Sequence, residues 1–136
     1  MFSRVYIGSD KQPFDLIFDT GSSWVWVGDD LCMTCANSHR FNHTASDSFN
    51  QLSPRIKTLH YGRGTIVGYD VTDQVCLTPT STVGNGCMQN FRFRDVIYQE
   101  ALGGLAGAGL VGLAPTTQYS GSQLFVPSLY KQGAIK

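Results

Sequence analysis

Charge is scarce in this chain. Asp, Glu, Lys and Arg make up 15% of its 136 residues, and ten acids balance ten bases. Typical soluble domains carry roughly 25%. A zero balance gives no basic footprint for nucleic acid or for an acidic membrane surface. Long apolar runs are also missing. Ala101 to Pro115 is small and apolar, but it is too short to span a bilayer and too rich in glycine, despite a Gly103/Gly107 pair. It reads as a buried strand. Met1-Phe2-Ser3-Arg4 shows no charged segment followed by an apolar one, so no signal segment is visible. There is no internal repeat, linker or low-complexity tract. Gly107-Ala108-Gly109-Leu110-Val111-Gly112 fits the lettering of a dinucleotide fingerprint, but no Asp or Glu stands near residue 132 and Pro115 interrupts the helix that such a site needs.

Ser, Thr and Gly fill the space that charge leaves, which suits an all-β protein with many turns. The length fits one domain with a real core. Residues 4–27 read as three short strands, with turns at Gly8-Ser9-Asp10 and Asp19-Thr20-Gly21. Residues 28–55 are polar and irregular, anchored by Phe41 and Phe49. Residues 56–77 read as two strands with apolar positions at Ile56, Leu59, Tyr61, Ile66, Val67, Val71 and Val75, turning at Gly62 and Gly64. Residues 88–98 alternate, with Phe91, Phe93, Val96 and Ile97 apolar. Pro127 and Gly133 bracket a short helix.

The four cysteines fall into two local groups, Cys32 with Cys35 and Cys76 with Cys87. Three pairings are possible, and loop closure favours the local one. Disulfides imply an oxidising compartment, and the glycosylation sequon Asn42-His43-Thr44 agrees. Cys32, Cys35, His39 and His43 carry zinc-ligand chemistry, but zinc fingers usually leave about a dozen residues between their Cys and His pairs. A loop disulfide is the expectation, with no metal.

The stretch Asp19-Thr20-Gly21-Ser22-Ser23 carries the most chemistry. It lies between the apolar runs Phe14–Phe18 and Trp24–Val27. A carboxylate at the end of a buried strand is costly unless hydrogen-bonded, and the hydroxyls, backbone N–H groups and glycine beside it supply the means. The motif resembles the catalytic loop of the pepsin-like aspartic peptidases (peptidase family A1). His60-Tyr61-Gly62-Arg63-Gly64-Thr65 resembles the flap of that family, although Arg63 stands where a small hydroxylic residue is common. Leu110-Val111-Gly112-Leu113-Ala114 resembles the segment crossing beneath the catalytic loop, although Ala108 stands where Asp is frequent. Leu129 to Gly133 resembles the short closing helix, and Val5 to Gly8 with Gln12 to Phe14 the opening strands.

The resemblance covers the first lobe only, residues 1–136, and implies a chain incomplete at both ends. It implies mostly antiparallel strands with one short carboxy-terminal helix. It implies an aspartic endopeptidase, working at acidic pH without a cofactor on polypeptide substrates. Asp19 would be one half of a catalytic dyad, with Ser22 bonding its outer oxygen, Thr20 locking the loop to its counterpart and Gly21 turning it. Tyr61, Gly62 and Trp26 would form the flap end of the cleft, and Leu110 and Gly112 an adjacent pocket. A secreted or vacuole-like acidic setting is implied. The sequence holds one Asp-Thr-Gly, so the second aspartate must come from a missing lobe or, as in retroviral peptidases, from a second copy of the chain. A non-catalytic peptide-binding or inhibitory protein with the same fold is a third reading.

Overall fold

A computed structural model of the chain describes residues 2–35, 39–61, 64–100, 108–114 and 123–135. Strands dominate the described residues: β1 (Phe2–Ile7), β2 (Gln12–Asp19), β3 (Val25–Gly28), β4 (Asn50–Gln51), β5 (Lys57–Tyr61), β6 (Gly64–Cys76), β7 (Thr82–Val83), β8 (Gly86–Glu100) and β9 (Gly109–Gly112). A 3₁₀ turn spans His43–Ala45, and one helix, α1, spans Phe125–Lys131. Pairing runs β6–β1–β2–β9–β3–β8 and returns from β8 to β6, so the sheet closes on itself. Most pairs are antiparallel, while β2–β9, β3–β8 and β7–β8 are parallel. Among the described residues the chain adopts the expected all-β fold with one short helix.

The elements follow local chemistry. The β1–β2 hairpin turns where Gly8 takes φ 95° and the Lys11 N–H bonds the Gly8 carbonyl. Alternation then puts Val5, Ile7, Phe14 and Leu16 inside. The long strands β6 and β8 carry irregularities at Val67/Gly68 and Asp73/Val75, which let them bend while staying paired. Phe41 pins the irregular segment after β3. It is fully buried, its ring meets Phe14, Phe49 and Phe93 at about 6 Å, and its N–H bonds the Gly28 carbonyl. Each such ring pair adds about 0.5–1.5 kcal/mol beyond area burial. The helix ends in a Schellman motif, with Ala134 N–H on the Leu129 carbonyl, Gly133 N–H on Tyr130, and Gly133 at φ 73°. Phe125 docks it against Phe18 and Phe91.

Three apolar assignments differ. Ile56 is 56% exposed because β5 begins one residue later, at Lys57. Val67 and Ile97 are half-buried. Alternation fails along β8 because Arg94 and Asp95 are buried next to Val96.

Those buried charges belong to two clusters. Asp70 accepts from Arg94 Nη2 at 2.8 Å, Arg92 Nη2 at 3.0 Å and Lys57 Nζ at 2.8 Å. Burial opposes ionisation of Asp70, but the hydrogen bonds from Lys57, Arg94 and Arg92 outweigh it and hold the carboxyl below its usual range. Asp95 behaves oppositely. Burial first, then the Asp29 carboxylate and Asp30, push it up to about 10. Between about pH 4 and 10 unfolding releases that proton, so burying Asp95 costs nothing below about pH 4 and progressively more as pH rises toward 10.

The Asp70 cluster has the reverse sign. Its depressed folded value stabilises fully above about pH 4 and is lost as pH falls through that value. Asp70→Asn, which leaves three cations around a neutral amide, is expected to cost about 3–5 kcal/mol at pH 7. The penalty should shrink below about pH 4, where the unfolded parent takes up the Asp70 proton while the folded carboxylate still resists it. Denaturant melts across pH 3–7 check this, and a penalty independent of pH would contradict it.

Candidate active site

Asp19 is the last residue of β2, in parallel register with Gly112 of β9. Three β9-side N–H groups grip the loop that follows. Leu113 N–H bonds the Asp19 carbonyl at 2.7 Å, Ala114 N–H bonds Ser22 at 2.9 Å, and Gly112 N–H bonds Trp24 at 2.9 Å. The backbone is therefore fixed on its buried side. On its open side Asp19 is half-buried and Thr20 and Gly21 are exposed. The Gly21 N–H donates to Asp19 Oδ1 at 2.9 Å, which orients the carboxylate. Ser22 is buried, and its Oγ accepts the Trp24 N–H at 3.3 Å.

Beneath the loop lies a second apolar cluster of Trp24, Trp26, Cys32, Cys35, Leu59, Ile66, Val96 and Leu110. Trp26 and Leu110 thus meet in one buried layer, joined there by Leu59 of the β5–β6 hairpin. Gly112 sits directly under the loop backbone. That hairpin runs in register from Lys57↔Gly68 to Tyr61↔Gly64. Gly62 and Arg63 and the side chain of Tyr61 lie outside the described residues, as do Ala101 to Gly107 and Pro115. The described part of the glycine-rich stretch is strand β9, where a nucleotide fingerprint would need the start of a helix.

Cys32–Cys35 and Cys76–Cys87 are disulfide-bonded, the local pairing. Their sulfurs are therefore unavailable as thiolate ligands for a site with His39 and His43. Asn42 is exposed before the 3₁₀ turn, and Thr44 Oγ1 donates to its Oδ1 at 2.6 Å.

One contributor escapes a motif reading. The Arg94 guanidinium lies 4.3 Å above the Trp24 ring while bonding Asp70. It couples the buried ion cluster to the floor of the loop. Its signal was the adjacent Arg94-Asp95 pair inside an otherwise alternating run.

Gly112 sets how closely β9 approaches. A Cβ there would stand 2.4 Å from the Ser22 carbonyl oxygen and 2.7 Å from that of Trp24. Both are backbone atoms that no rotamer change can move. Gly112→Ala is expected to lose at least about 1–3 kcal/mol of stability in urea melts. Parent-like stability would show that the loop is not held as described.

Comparison with known proteins places these features in a family. The family model for eukaryotic aspartyl protease matches residues 1–136. The chain is 34% identical over 125 residues to chymosin of Callithrix jacchus, covering 88% of this chain and 31% of that protein. It is 30% identical over 140 aligned positions to pepsin A of Suncus murinus, covering 98% of this chain and 34% of that protein. It is 38% identical over 73 residues to plasmepsin IV of Plasmodium falciparum, covering 52% and 16%. The chain spans about a third of the length of the chymosin and pepsin relatives. With its strand order, its single Asp-Thr-Gly loop and a match along its whole length, the chain belongs to the eukaryotic aspartyl protease family.

Proposed function

We propose that this chain is the amino-terminal lobe of a two-lobe aspartic endopeptidase, in which Asp19 forms one half of the catalytic dyad. One observation carries the reading. The Asp19 carboxylate stands half-exposed at the rim of a loop whose buried side is bonded to β9 and whose exposed side presents Thr20 and Gly21. A group so fixed and so open is placed to meet a partner from outside this lobe.

The chemistry requires that partner. Amide hydrolysis by carboxyls needs one group ionised, to take a proton from water, and one protonated, to donate to the carbonyl oxygen. Two carboxyls in contact meet this condition because like charges resist joint ionisation, the property for which aspartic proteases are known. Asp19 supplies one, and a second Asp-Thr-Gly or Asp-Ser-Gly loop on a further lobe supplies the other. Thr20, exposed beside it, would bond that loop. Trp26 and Leu110 back this lobe's side of the substrate cleft from the buried layer, and Tyr61 and Gly62 of the β5–β6 hairpin border it. Two disulfides and an exposed sequon support an oxidising route to a secreted or acidic-compartment location.

In the complete protein, Asp19→Asn is expected to lower peptide hydrolysis at acidic pH by roughly 10²–10⁴-fold, the range typical of general acid–base catalysis. Hydrolysis of an acid-denatured protein substrate measures this. Retention of full activity would refute the reading. Activity of the 136-residue chain alone that falls on dilution would assign the second aspartate to another copy of the chain.

A further inference from the structure

Beyond the far end of β3 from the Asp19 loop, three side chains from separate elements converge. Asp29 follows β3, Asp95 lies within β8, and His43 opens the 3₁₀ turn. His43 Nδ1 is 2.8 Å from Asp29 Oδ1 and 3.9 Å from Asp95 Oδ2. One donor atom from each residue lies within 4.8 Å of the other two. The acids are buried, their side chains 0% and 4% exposed, while His43 keeps 28% and so reaches solvent. Asp95 Oδ1 is buried with no hydrogen-bond partner among the described residues. The outer oxygen of Asp29 is already tied to the Leu31 N–H at 3.0 Å, a bond that fixes the direction of its carboxylate.

These facts fit poorly with a purely structural cluster. Asp95 shares a side-chain hydrogen bond with Asp29, but its Oδ1 stays buried and unsatisfied, a costly way to fill space. They fit a cation. Ligands at about 2.0–2.1 Å from a tetrahedral zinc stand about 3.3 Å apart, and the two His43 separations fall on either side of that value. With the Asp95 proton displaced on binding, two carboxylates and a neutral imidazole would balance a divalent ion, and imidazole with carboxylate suits zinc among the common metals.

We propose that Asp29, His43 and Asp95 form a divalent-cation site of zinc type, with the fourth position open to solvent beside His43. The site is structural. It joins the end of β3 and the middle of β8 to the 3₁₀ turn, and so clamps the irregular segment that follows β3. It is separate from the Asp19 loop, which precedes β3, and from the disulfide-bonded Cys32 and Cys35.

Zinc alone, titrated into the chelator-stripped full chain at pH 7 and followed by calorimetry and thermal melting, tests this. The expected result is one zinc per chain and a raised melting temperature. His43→Gln and Asp95→Asn should each weaken binding at least tenfold. His43→Gln is the safer variant because its side chain is partly exposed, and circular dichroism confirms its fold. Asp19→Asn should bind as the parent does, which separates this test from that of the peptidase reading. His39→Ala and His60→Ala should also bind normally. No saturable binding would overturn the proposal, as would binding that survives His43→Gln or is lost with His39→Ala.

Discussion

Everything around Asp19 depends on how closely β9 approaches the loop that follows β2. Three N–H groups at residues 112–114 reach the carbonyls of Asp19, Ser22 and Trp24 at 2.7–2.9 Å. That approach exists only because position 112 has no Cβ. With the buried side of the loop saturated, Asp19 can end a strand and still present its carboxylate outward. The same β9 pairs with β3 on its other edge. The loop is thus slung between two strands that β9 joins, and the closed sheet keeps them from drifting apart. A carboxylate meant to act with a partner from elsewhere needs such a mount, because an error of about 1 Å in catalytic geometry is costly.

The interior is more polar than a sequence this poor in charge suggests. Asp29, Asp70, Arg94 and Asp95 are all buried. The Asp70 group is a carboxylate surrounded by three cations, and the Asp29–His43–Asp95 group is acid-rich. The first weakens in acid, as the unfolded chain takes up the Asp70 proton more readily than the folded one, and the second holds a buried acid, Asp95, that resists ionisation beside Asp29.

Much of this was legible in the residues. Runs of strand-forming residues marked β1 and β2, alternation marked the first half of β8, and the turn at Gly8 followed from its glycine. The short helix announced itself through Pro127 and Gly133, and local spacing gave the disulfides. The loop at Asp19 was legible because its motif is dense and flanked by strand-forming runs. The buried charges were not. Asp70 and Arg94 are 24 residues apart in sequence, and only the pairing of β6 with β8 sets them opposite each other. Asp29, His43 and Asp95 likewise meet through the parallel β3–β8 pairing and the Phe41 anchor, none of which a linear pattern displays. Ile56 was misplaced for a simpler reason, since an apolar residue just outside a strand looks like one just inside it.

The central claim is that Asp19 is half of a dyad. The most direct test is a crystal structure of the complete protein bound to a non-hydrolysable peptide. The account predicts a second carboxylate within hydrogen-bond reach of Asp19, contributed from outside residues 1–136, with the peptide crossing above both. An Asp19 that faces only solvent or peptide, with no second carboxylate beside it, would contradict it.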